Sequence, residues 1–457
     1  MKKTFLIFLF FETTFFLHAQ PIAGGGYQSL AICNDNTVRA WGSNYMGELG
    51  NGNNIDSNVP LQVNSLTGII AVAGGNDFSL ALKNNGTVWA WGYNINGDLG
   101  NGNNTNSNVP VQVSNLTNIT AIAGGVDHSV ALMNDGTVWT WGLNSYGQLG
   151  NGTLTNSNIP VQVIGLTSII AISGGGDHCI ALKNNGTVWT WGRNFEGQLG
   201  NGNNSSSNIP VQVNGLTGII SIGGGAFHSL ALKNNGVVWA WGSNFNGELG
   251  NGNNTDSNIP IQVTGISNIT AIAGGGGGYY SLALKNDGSV WAWGQNYSGQ
   301  LGNGTNTDSN VPVQVNGLSG SIAIAGGWDH SLALKNNGTV WDWGDNMYGG
   351  LGNGNNTDSW IPVQVIGLCQ VVISVNEIEE QINIAVSPNP SIGIFTVNSK
   401  ITSGEISICN LCGEKIFAAT INSPTTQIDL SNQANGIYFV SIKTETNSFT
   451  QKIIIEK

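Results

Sequence analysis

The sequence has 457 residues, of which 67 are glycine, 15 are tryptophan and only 9% are charged. Hydrophobic residues make up 40% of it, enough for a large core, which excludes an intrinsically disordered chain. The net charge is −12, and the 14 Lys and Arg residues form no basic stripe, which argues against a nucleic-acid partner.

The first nineteen residues have the pattern of a secretory signal peptide. Lys2 and Lys3 precede the apolar stretch FLIFLFFETTFFL, and Ala19 is a small residue ahead of a cut before Gln20. A membrane anchor would need about 20 uninterrupted apolar residues, and neither this segment nor any later one supplies them. We therefore expect an exported protein that does not span a membrane.

After residue 20 the chain repeats one unit of about fifty residues. Successive copies of the phrase KNNGTVWAWG are separated by 50, 50, 50, 50, 52 and 50 residues. The second tryptophan of each copy marks the repeat, at Trp41, Trp91, Trp141, Trp191, Trp241, Trp293 and Trp343.

Each repeat carries the signals of four short strands. In the second repeat these are IIAVAGG (69–75), SLALK (79–83), TVWAW (87–91) and PVQV (110–113), the last opened by its proline. Asn85-Gly86 predicts a two-residue type I′ turn, which would pair Leu82 with Trp89 and Leu80 with Trp91. That register predicts a face of large side chains and an opposite face of alanines.

Seven four-stranded units without helical periodicity predict an all-β, seven-bladed β-propeller over residues 20–375, with an open solenoid as the alternative. Two features favour a closed ring. The first repeat keeps only PIA of its opening strand, and the run LCQVVISV (368–375) follows the seventh repeat in the position of another opening strand. A terminal strand that replaces the missing one would leave no open edge.

The repeats resemble regulator-of-chromosome-condensation repeats, and the resemblance covers residues 21–375. It lies in the phrase GGVDHSVALMNDGTVWTWGLNSYGQLGNG (124–152) and its six relatives. The resemblance implies a seven-bladed propeller that serves as a platform for protein contacts. The family's nuclear role as a nucleotide-exchange factor does not suit an acidic, exported chain.

The C-terminal region differs in composition. NEIEEQ (376–381) reads as a linker, and residues 382–457 show the strand and turn signals of a small β-sandwich. The phrases SPNP and NGIYFV and the lysine near the end resemble the C-terminal sorting domain of the type IX (Por) secretion system of Bacteroidetes. This resemblance implies handling by the type IX machinery, through residues 382–457, and a secreted or cell-surface protein.

The five cysteines do not predict a complete disulfide framework, because their number is odd. Cys33, Cys179 and Cys369 stand where other repeats have Lys or Met, Ser, and Thr or Ser, and we interpret them as neutral substitutions. Cys409 and Cys412 form a CxxC, which suits either a local disulfide or half of a zinc site.

No arrangement of residues predicts catalysis, a cofactor or a metal site, so we expect no enzyme activity. The Asp-His neighbours at Asp127-His128, Asp177-His178 and Asp329-His330 point to opposite sides of a strand, so we interpret the histidines as structural. The loops like GNGNNTDSN (250–258) suggest calcium, but one Asp per loop is too few for the usual ligand set. An enzyme would need unusual charged residues to converge, and the candidates are Asp342, Asp345 and Arg193.

Binding residues are predicted where the repeats differ, in the long segment from WG to the proline and just after the Gly-Gly pair. Tyr and Trp at such positions suit a recognition surface, and packing between blades is the alternative. The candidate binding residues are Tyr45, Tyr146, Arg193, Phe195, Phe245, Tyr297, Trp328 and Tyr348. Neighbouring members of the two columns are Ile95, Ser145, Met347, Tyr27, Phe227 and Tyr279.

We therefore expect a monomeric, non-catalytic propeller that binds an extracellular protein or glycan. A structural matrix protein without a specific ligand is the main alternative, and a propeller hydrolase or lyase is the third. The sequence names neither the ligand nor the face that binds it.

Overall fold

The computed structural model describes residues 20–371, 385–398, 404–410, 414–421, 423, 425–443 and 448–457. The predicted signal peptide (1–19), the linker (376–381) and Cys412 lie outside these residues. The chain forms two compact units, one up to Val375 and one from Asn376. No helix in the described ranges has the length and apolarity needed to cross a membrane.

The first unit is a seven-bladed propeller of four-stranded antiparallel sheets. Blade one contains β1 (Ile22–Gly24), β2 (Gln28–Ile32), β3 (Val38–Gly42) and β4 (Ser57–Gln62). Blade two contains β5 (Ile69–Gly74), β6 (Phe78–Lys83), β7 (Val88–Gly92) and β8 (Ser107–Gln112). Blade three contains β9 (Ile119–Gly124), β10 (His128–Met133), β11 (Val138–Gly142) and β12 (Ser157–Gln162).

The remaining blades repeat this order. Blade four contains β13 (Ile169–Gly174), β14 (His178–Lys183), β15 (Val188–Gly192) and β16 (Ser207–Gln212). Blade five contains β17 (Ile219–Gly224), β18 (His228–Lys233), β19 (Val238–Gly242) and β20 (Ser257–Gln262). Blade six contains β21 (Ile269–Gly274), β22 (Tyr280–Lys285), β23 (Val290–Gly294) and β24 (Ser309–Gln314), and blade seven contains β25 (Ser321–Gly326), β26 (His330–Lys335), β27 (Val340–Gly344) and β28 (Ser359–Gln364).

The first strands of neighbouring blades contact one another, so they surround the axis, and the fourth strands lie outside. The predicted strand order is confirmed, but the fourth strand begins three residues before the proline. Pro110 therefore lies inside an outer strand, where the pairing with β7 shifts register between Ala90 and Gly92, and proline is tolerated at such an irregularity.

The predicted hairpin register is wrong by one residue. Leu82 pairs with Val88, Leu80 with Ala90, and Ser79 with Trp91. Gly86 donates its N–H to the carbonyl of Lys83 and has φ +76°, while Asn85 is not in the positive-φ region. The loop is therefore a type I turn followed by a left-handed glycine, with three residues instead of two.

The corrected register places the tryptophan on the same face as the small residues. Leu30, Ile32, Val38 and Ala40 of one blade form a core with Ala81 and Trp91 of the next blade. Trp91 also donates Nε1–H to the Glu48 carbonyl of the preceding blade, at 2.6 Å. Each such buried side chain stabilises the contact between blades by roughly 1.5–3 kcal/mol.

The ring is closed, as predicted, and both ends of the propeller contribute to blade one. Ile22 pairs with Ala31 in the short inner strand β1, and Val371 pairs with Cys33 beyond the end of that strand. Gly354 donates its N–H to the Asn58 carbonyl of blade one, repeating the contact of Gly52 with Asn108.

Two cysteines were wrongly interpreted as neutral substitutions. Cys33 and Cys369 form a disulfide across the closure, with 5.7 Å between their Cα atoms. They are far apart in sequence, so only the closure of the ring brings them together. Cys179 is a true replacement for serine, because its buried thiol donates to the Gln148 carbonyl as Ser129 donates to that of Asp98.

The second unit is a small β-sandwich with a core of its own. One sheet contains β29 (Ala385–Ser387), β30 (Ile394–Asn398) and β33 (Thr425–Asp429). The other contains β31 (Gly404–Asn410), β32 (Lys415–Ile421), β34 (Gly436–Lys443) and β35 (Ser448–Ile455). Phe395, Ile408 and Val440 are buried between them.

Candidate functional site

The antiparallel order of each blade gives the propeller two different faces. The short connections after the first strands, such as 75–77, and the long connections after the third strands, such as 93–106, lie on one side, which we call the loop face. The tight hairpins, such as 84–87, and the connections between blades, such as 113–118, lie on the opposite side, the hairpin face.

Buried asparagines hold the long connections in shape. Asn94 is fully buried, and its Nδ2 donates to the carbonyls of Asn103 and Thr105 at 3.0 Å. Its Oδ1 accepts the N–H of Leu99 at 2.9 Å. The same role belongs to Asn44, Asn144, Asn194, Asn244, Asn296 and Asn346. Much of the asparagine content of these loops is thus explained by backbone hydrogen bonding.

The first predicted column forms a ring of exposed apolar side chains on the loop face. Phe245 and Tyr297 are each 80% exposed, and Tyr45 is 76% exposed. Ile95, Phe195 and Met347 occupy the equivalent positions and are also exposed, and Ser145 completes the ring. Large side chains at this exposure do not fill gaps between blades.

A second group of predicted residues packs around Arg193. Its guanidinium carbon lies 3.9 Å from the centre of the Phe227 ring and 5.1 Å from that of Phe195. Tyr146 contacts Phe195 edge-on at 5.6 Å, and Arg193 forms an ion pair with Glu196 at 2.8 Å. The structure thus brings Tyr146, Arg193 and Phe195 together across two blades.

Trp328 and Tyr348 belong to a third group, where the ring closes. Both contact Tyr27 edge-on, at 5.5 Å and 5.3 Å between ring centres. All three rings are half-buried. The column after the Gly-Gly pair therefore combines packing with partial exposure, as does the contact of Phe227 with Tyr279 at 5.6 Å.

Sequence reasoning missed a row of carboxylates in this inner column. Asp77, Asp127, Asp177 and Asp329 occupy the position that Tyr27, Phe227 and Tyr279 hold in the other blades. The column therefore has an acidic part and an aromatic part. The signal in the sequence is the aspartate that precedes three of the histidines, at Asp127, Asp177 and Asp329.

Backbone hydrogen bonds fix the spacing of this inner column. The N–H of Asn76 donates to Val126, and the N–H of Val126 donates to Gly176, each at 3.1 Å. Asp77 and Asp127 are the next residues along the chain, so they are neighbours in adjacent blades.

Behind this row lies a second set of polar side chains. Gln300 donates from Nε2 to Asp329 at 3.0 Å, and Gln148 donates to Asp177 at 3.5 Å. Blade one has Glu48 at this glutamine position, and the aspartate of the next blade is Asp77. Blade two has Asp98 there, and the aspartate of the next blade is Asp127. Carboxyl groups thus stand where an amide donor stands elsewhere.

These acidic side chains are buried enough for their pKa values to shift. Burial, and then the neighbouring Asp127, raises the pKa of Asp98 to about 8. Burial raises the pKa of Glu48 to about 7 and that of Asp127 to about 6. One oxygen of Asp98, Oδ1, has no hydrogen-bond partner, although the side chain is fully buried.

The histidine column joins the blades. His178 and His228 are fully buried, and each Nε2 lies 2.9 Å from a serine Oγ of the next blade. His330 makes the same contact with Ser29 across the ring closure. Burial lowers the pKa of His178 to about 3, so its imidazole is neutral at ordinary pH.

The charged residues considered for catalysis do not converge. Asp342 is fully buried and accepts a hydrogen bond from Ser29 at the junction of blades seven and one. Asp345 lies on the loop face near Asp329, and Arg193 lies in blade four. Within the described part of the chain, no three His, Cys, Asp or Glu side chains are grouped in a way that could hold a metal ion.

Comparison with known families identifies both units. The RCC1-like domain family matches residues 12–276, and regulator of chromosome condensation (RCC1) repeats match 287–334 and 337–376. The secretion system C-terminal sorting domain family matches residues 385–456. That domain marks a protein that type IX secretion exports to the cell surface or the extracellular space.

Solved structures show the same propeller fold. Human WBSCR16 is 24% identical with a TM-score of 0.65, and the match covers 72% of this chain and 93% of that one. Prp20p from Saccharomyces cerevisiae is 24% identical with a TM-score of 0.65, covering 76% and 86%. Yeast RCC1 (Prp20) bound to Kap60 is 23% identical with a TM-score of 0.65, covering 80% and 91%.

No curated protein matches the sequence. The repeats, the closed ring of four-stranded blades and the match over more than half of the sequence agree with one another. The chain belongs to the RCC1-like domain family, and it carries a type IX sorting domain at its C-terminal end.

Proposed function

We propose that this exported propeller is a non-catalytic recognition module that binds an extracellular protein or glycan on its loop face. The observation that carries the proposal is the ring of exposed apolar side chains at one repeat position, with Phe245 and Tyr297 each 80% exposed. Burying such side chains in a partner supplies binding free energy, and aromatic residues are frequent among binding hot spots.

The rigidity of the frame supports the proposal. The connections that carry Tyr45, Phe195, Phe245 and Tyr297 are fastened by the buried asparagines, so little conformational entropy would be lost on binding. The residue at this position changes from blade to blade while its surroundings stay constant. Such variation on a constant frame suits recognition of one asymmetric partner.

The test is capture of partners by the full chain from an extracellular protein extract and from an array of surface glycans. The test variant replaces Tyr45, Phe195, Phe245 and Tyr297 by Ser. Its matched control replaces four exposed isoleucines on the hairpin side by Ser: Ile164, Ile220, Ile322 and Ile366.

Saturable capture that the test variant loses and the control keeps is the expected result. If both variants capture the partner equally well, the exposed ring is not part of the binding surface. Absence of any capture by the folded protein would favour a structural matrix protein, the alternative that the sequence left open.

A further inference from the structure

The two faces of the propeller carry opposite kinds of charge. Among residues 20–371, the loop-face connections contain thirteen carboxylates and a single basic residue, Arg193. The thirteen are Glu48, Asp56, Asp77, Asp98, Asp127, Asp177, Glu196, Glu248, Asp256, Asp308, Asp329, Asp345 and Asp358. The hairpin face instead carries five lysines, Lys83, Lys183, Lys233, Lys285 and Lys335, and three aspartates, Asp35, Asp135 and Asp287.

Four of these carboxyl groups lie where blades one, two and three meet around the axis. Asp77 and Asp127 are half-exposed neighbours in the inner column, with Glu48 and Asp98 buried behind them. Arg193 is the single basic residue of the loop-face connections within residues 20–371, and it lies in blade four, where its N–H donates to the Asp177 carbonyl at 2.9 Å. Within those residues, no ion pair joins a basic side chain to any of these four carboxyl groups. Mutual repulsion makes such a group unfavourable unless a cation or a proton reaches it.

The missing donor is visible in the comparison of blades. Where the repeat has glutamine, Gln300 satisfies Asp329 with an amide hydrogen bond. Where the repeat has Asp98, no amide reaches Asp127, and the fully buried Oδ1 of Asp98 has no partner. A charged donor that enters from the loop face would satisfy both residues.

An aromatic ring lies beside the same group. The N–H of the half-buried Tyr93 donates to the Asp77 carbonyl at 2.8 Å, so this aromatic residue is fastened to the backbone of the acidic group. Carboxylates beside an aromatic ring form the usual environment for an ammonium or guanidinium group.

We propose that the partner presents a basic protein segment, and that one of its lysine or arginine side chains enters the loop face between Asp77, Asp98 and Asp127. This inference rests on the proposed function and adds the chemistry of the partner to it. The acidic face attracts such a segment over a distance, and the exposed apolar ring contacts it around the cation.

The probe is a fluorescent peptide of alternating arginine and glycine, measured by anisotropy against the full chain. Its neutral control has citrulline in place of arginine. The test variant is D77N/D127N, and the matched control is D135N/D287N, which removes the same charge from the hairpin face. Asparagine is already present at the two control positions in other repeats, as Asn85 and Asn185.

We expect the arginine peptide to bind, the citrulline peptide to bind much more weakly, and added salt to reduce the affinity. D77N/D127N should weaken binding about tenfold or more, and D135N/D287N less than about twofold. If both variants lose the same affinity, the effect comes from net charge alone and the proposed site is wrong. Equal binding of arginine and citrulline peptides, or binding of spermidine as tight as that of the peptide, would also overturn it.

The two proposals fail separately. If the four-serine variant of the exposed ring loses its captured partner while D77N/D127N keeps it, the recognition surface stands and the cationic segment is wrong. If the partner depends on Asp77 and Asp127 and not on the exposed ring, binding is electrostatic and the apolar ring is wrong.

Discussion

Loss of the disulfide between Cys33 and Cys369 should open the propeller where its two ends meet. The bond lies beside the pairing of Val371 with Cys33, and close to a hydrogen bond from the Asn34 N–H to the Gln370 carbonyl at 2.9 Å. The inner strand of blade one has only three residues, against six in blade two. Few other backbone contacts therefore hold this junction.

The separation of the cysteines sets the size of the effect. They are 336 residues apart, and closing a loop of that length removes conformational freedom worth roughly 6 kcal/mol from the unfolded chain. Native disulfides contribute less than this estimate in practice, so we expect a loss of about 2–5 kcal/mol in the free energy of unfolding.

The assay is guanidinium unfolding followed by tryptophan fluorescence, with and without a thiol reductant, for the parent and for C33S/C369S. The reductant should destabilise the parent and leave the double variant unchanged. C179S is the matched control, because serine stands at this position in other blades, and it should respond to the reductant as the parent does. If reductant leaves the unfolding free energy of the parent unchanged, the disulfide does not stabilise the ring closure.

Three further predictions concern pH and the hairpin. Because the folded-state pKa of Asp98 is raised to about 8, its protonated form stabilises the fold at low pH, and that contribution is lost as pH rises from about 4 to 8. D98Q, which restores the usual donor toward Asp127, should therefore gain about 1–3 kcal/mol at pH values near 8 and little near 4, and an equal gain at both would contradict the assignment. Because the pKa of His178 is lowered to about 3, the unfolded chain binds its proton first, and stability falls as pH drops from about 6.5 toward 3. H178Q should reduce this acid loss, and a thermal-unfolding pH profile identical to the parent's would count against the buried neutral imidazole. Gly86 has φ +76°, so G86A should cost about 1–2 kcal/mol in denaturant unfolding, whereas N36G at φ +58° should be neutral or slightly stabilising. Equal effects would argue against the type I turn.

The sequence predicted the architecture because the repeat displays every local signal seven times. The spacing of Trp91 and its equivalents and the alternation in SLALK identify blades without any long-range information. The hairpin register was wrong because Asn-Gly suits a two-residue turn and also the last two positions of a three-residue turn. The register that is observed lets Trp91 donate its Nε1–H to the Glu48 carbonyl of the preceding blade. This contact between blades cannot be read from the sequence of the hairpin alone.

Features that depend on contact between blades were harder to predict. Nothing in the sequence around Cys33 or Cys369 explains why a cysteine replaces the usual residue of the repeat. They form a disulfide only because the closure of the ring brings them together. The acidic group was missed for a similar reason. Asp98 stands in blade two where other blades have glutamine, and the residue that loses an amide hydrogen bond is Asp127 in the next blade. The variable column that contains Tyr45 and Phe245 could be located from the sequence, whereas its exposure could be read only from the structure, and its role in binding stays a prediction.

Hydrogen exchange of the full chain, measured with and without a captured partner, tests directly whether the loop face is the recognition surface. We expect slower exchange in the loop-face connections, such as 43–56 and 243–256, and in the inner segments around Asp77 and Asp127. The hairpins of the opposite face, such as 84–87, should exchange at unchanged rates. Protection confined to those hairpins, with exchange on the loop face unchanged, would show that the partner binds the hairpin face instead.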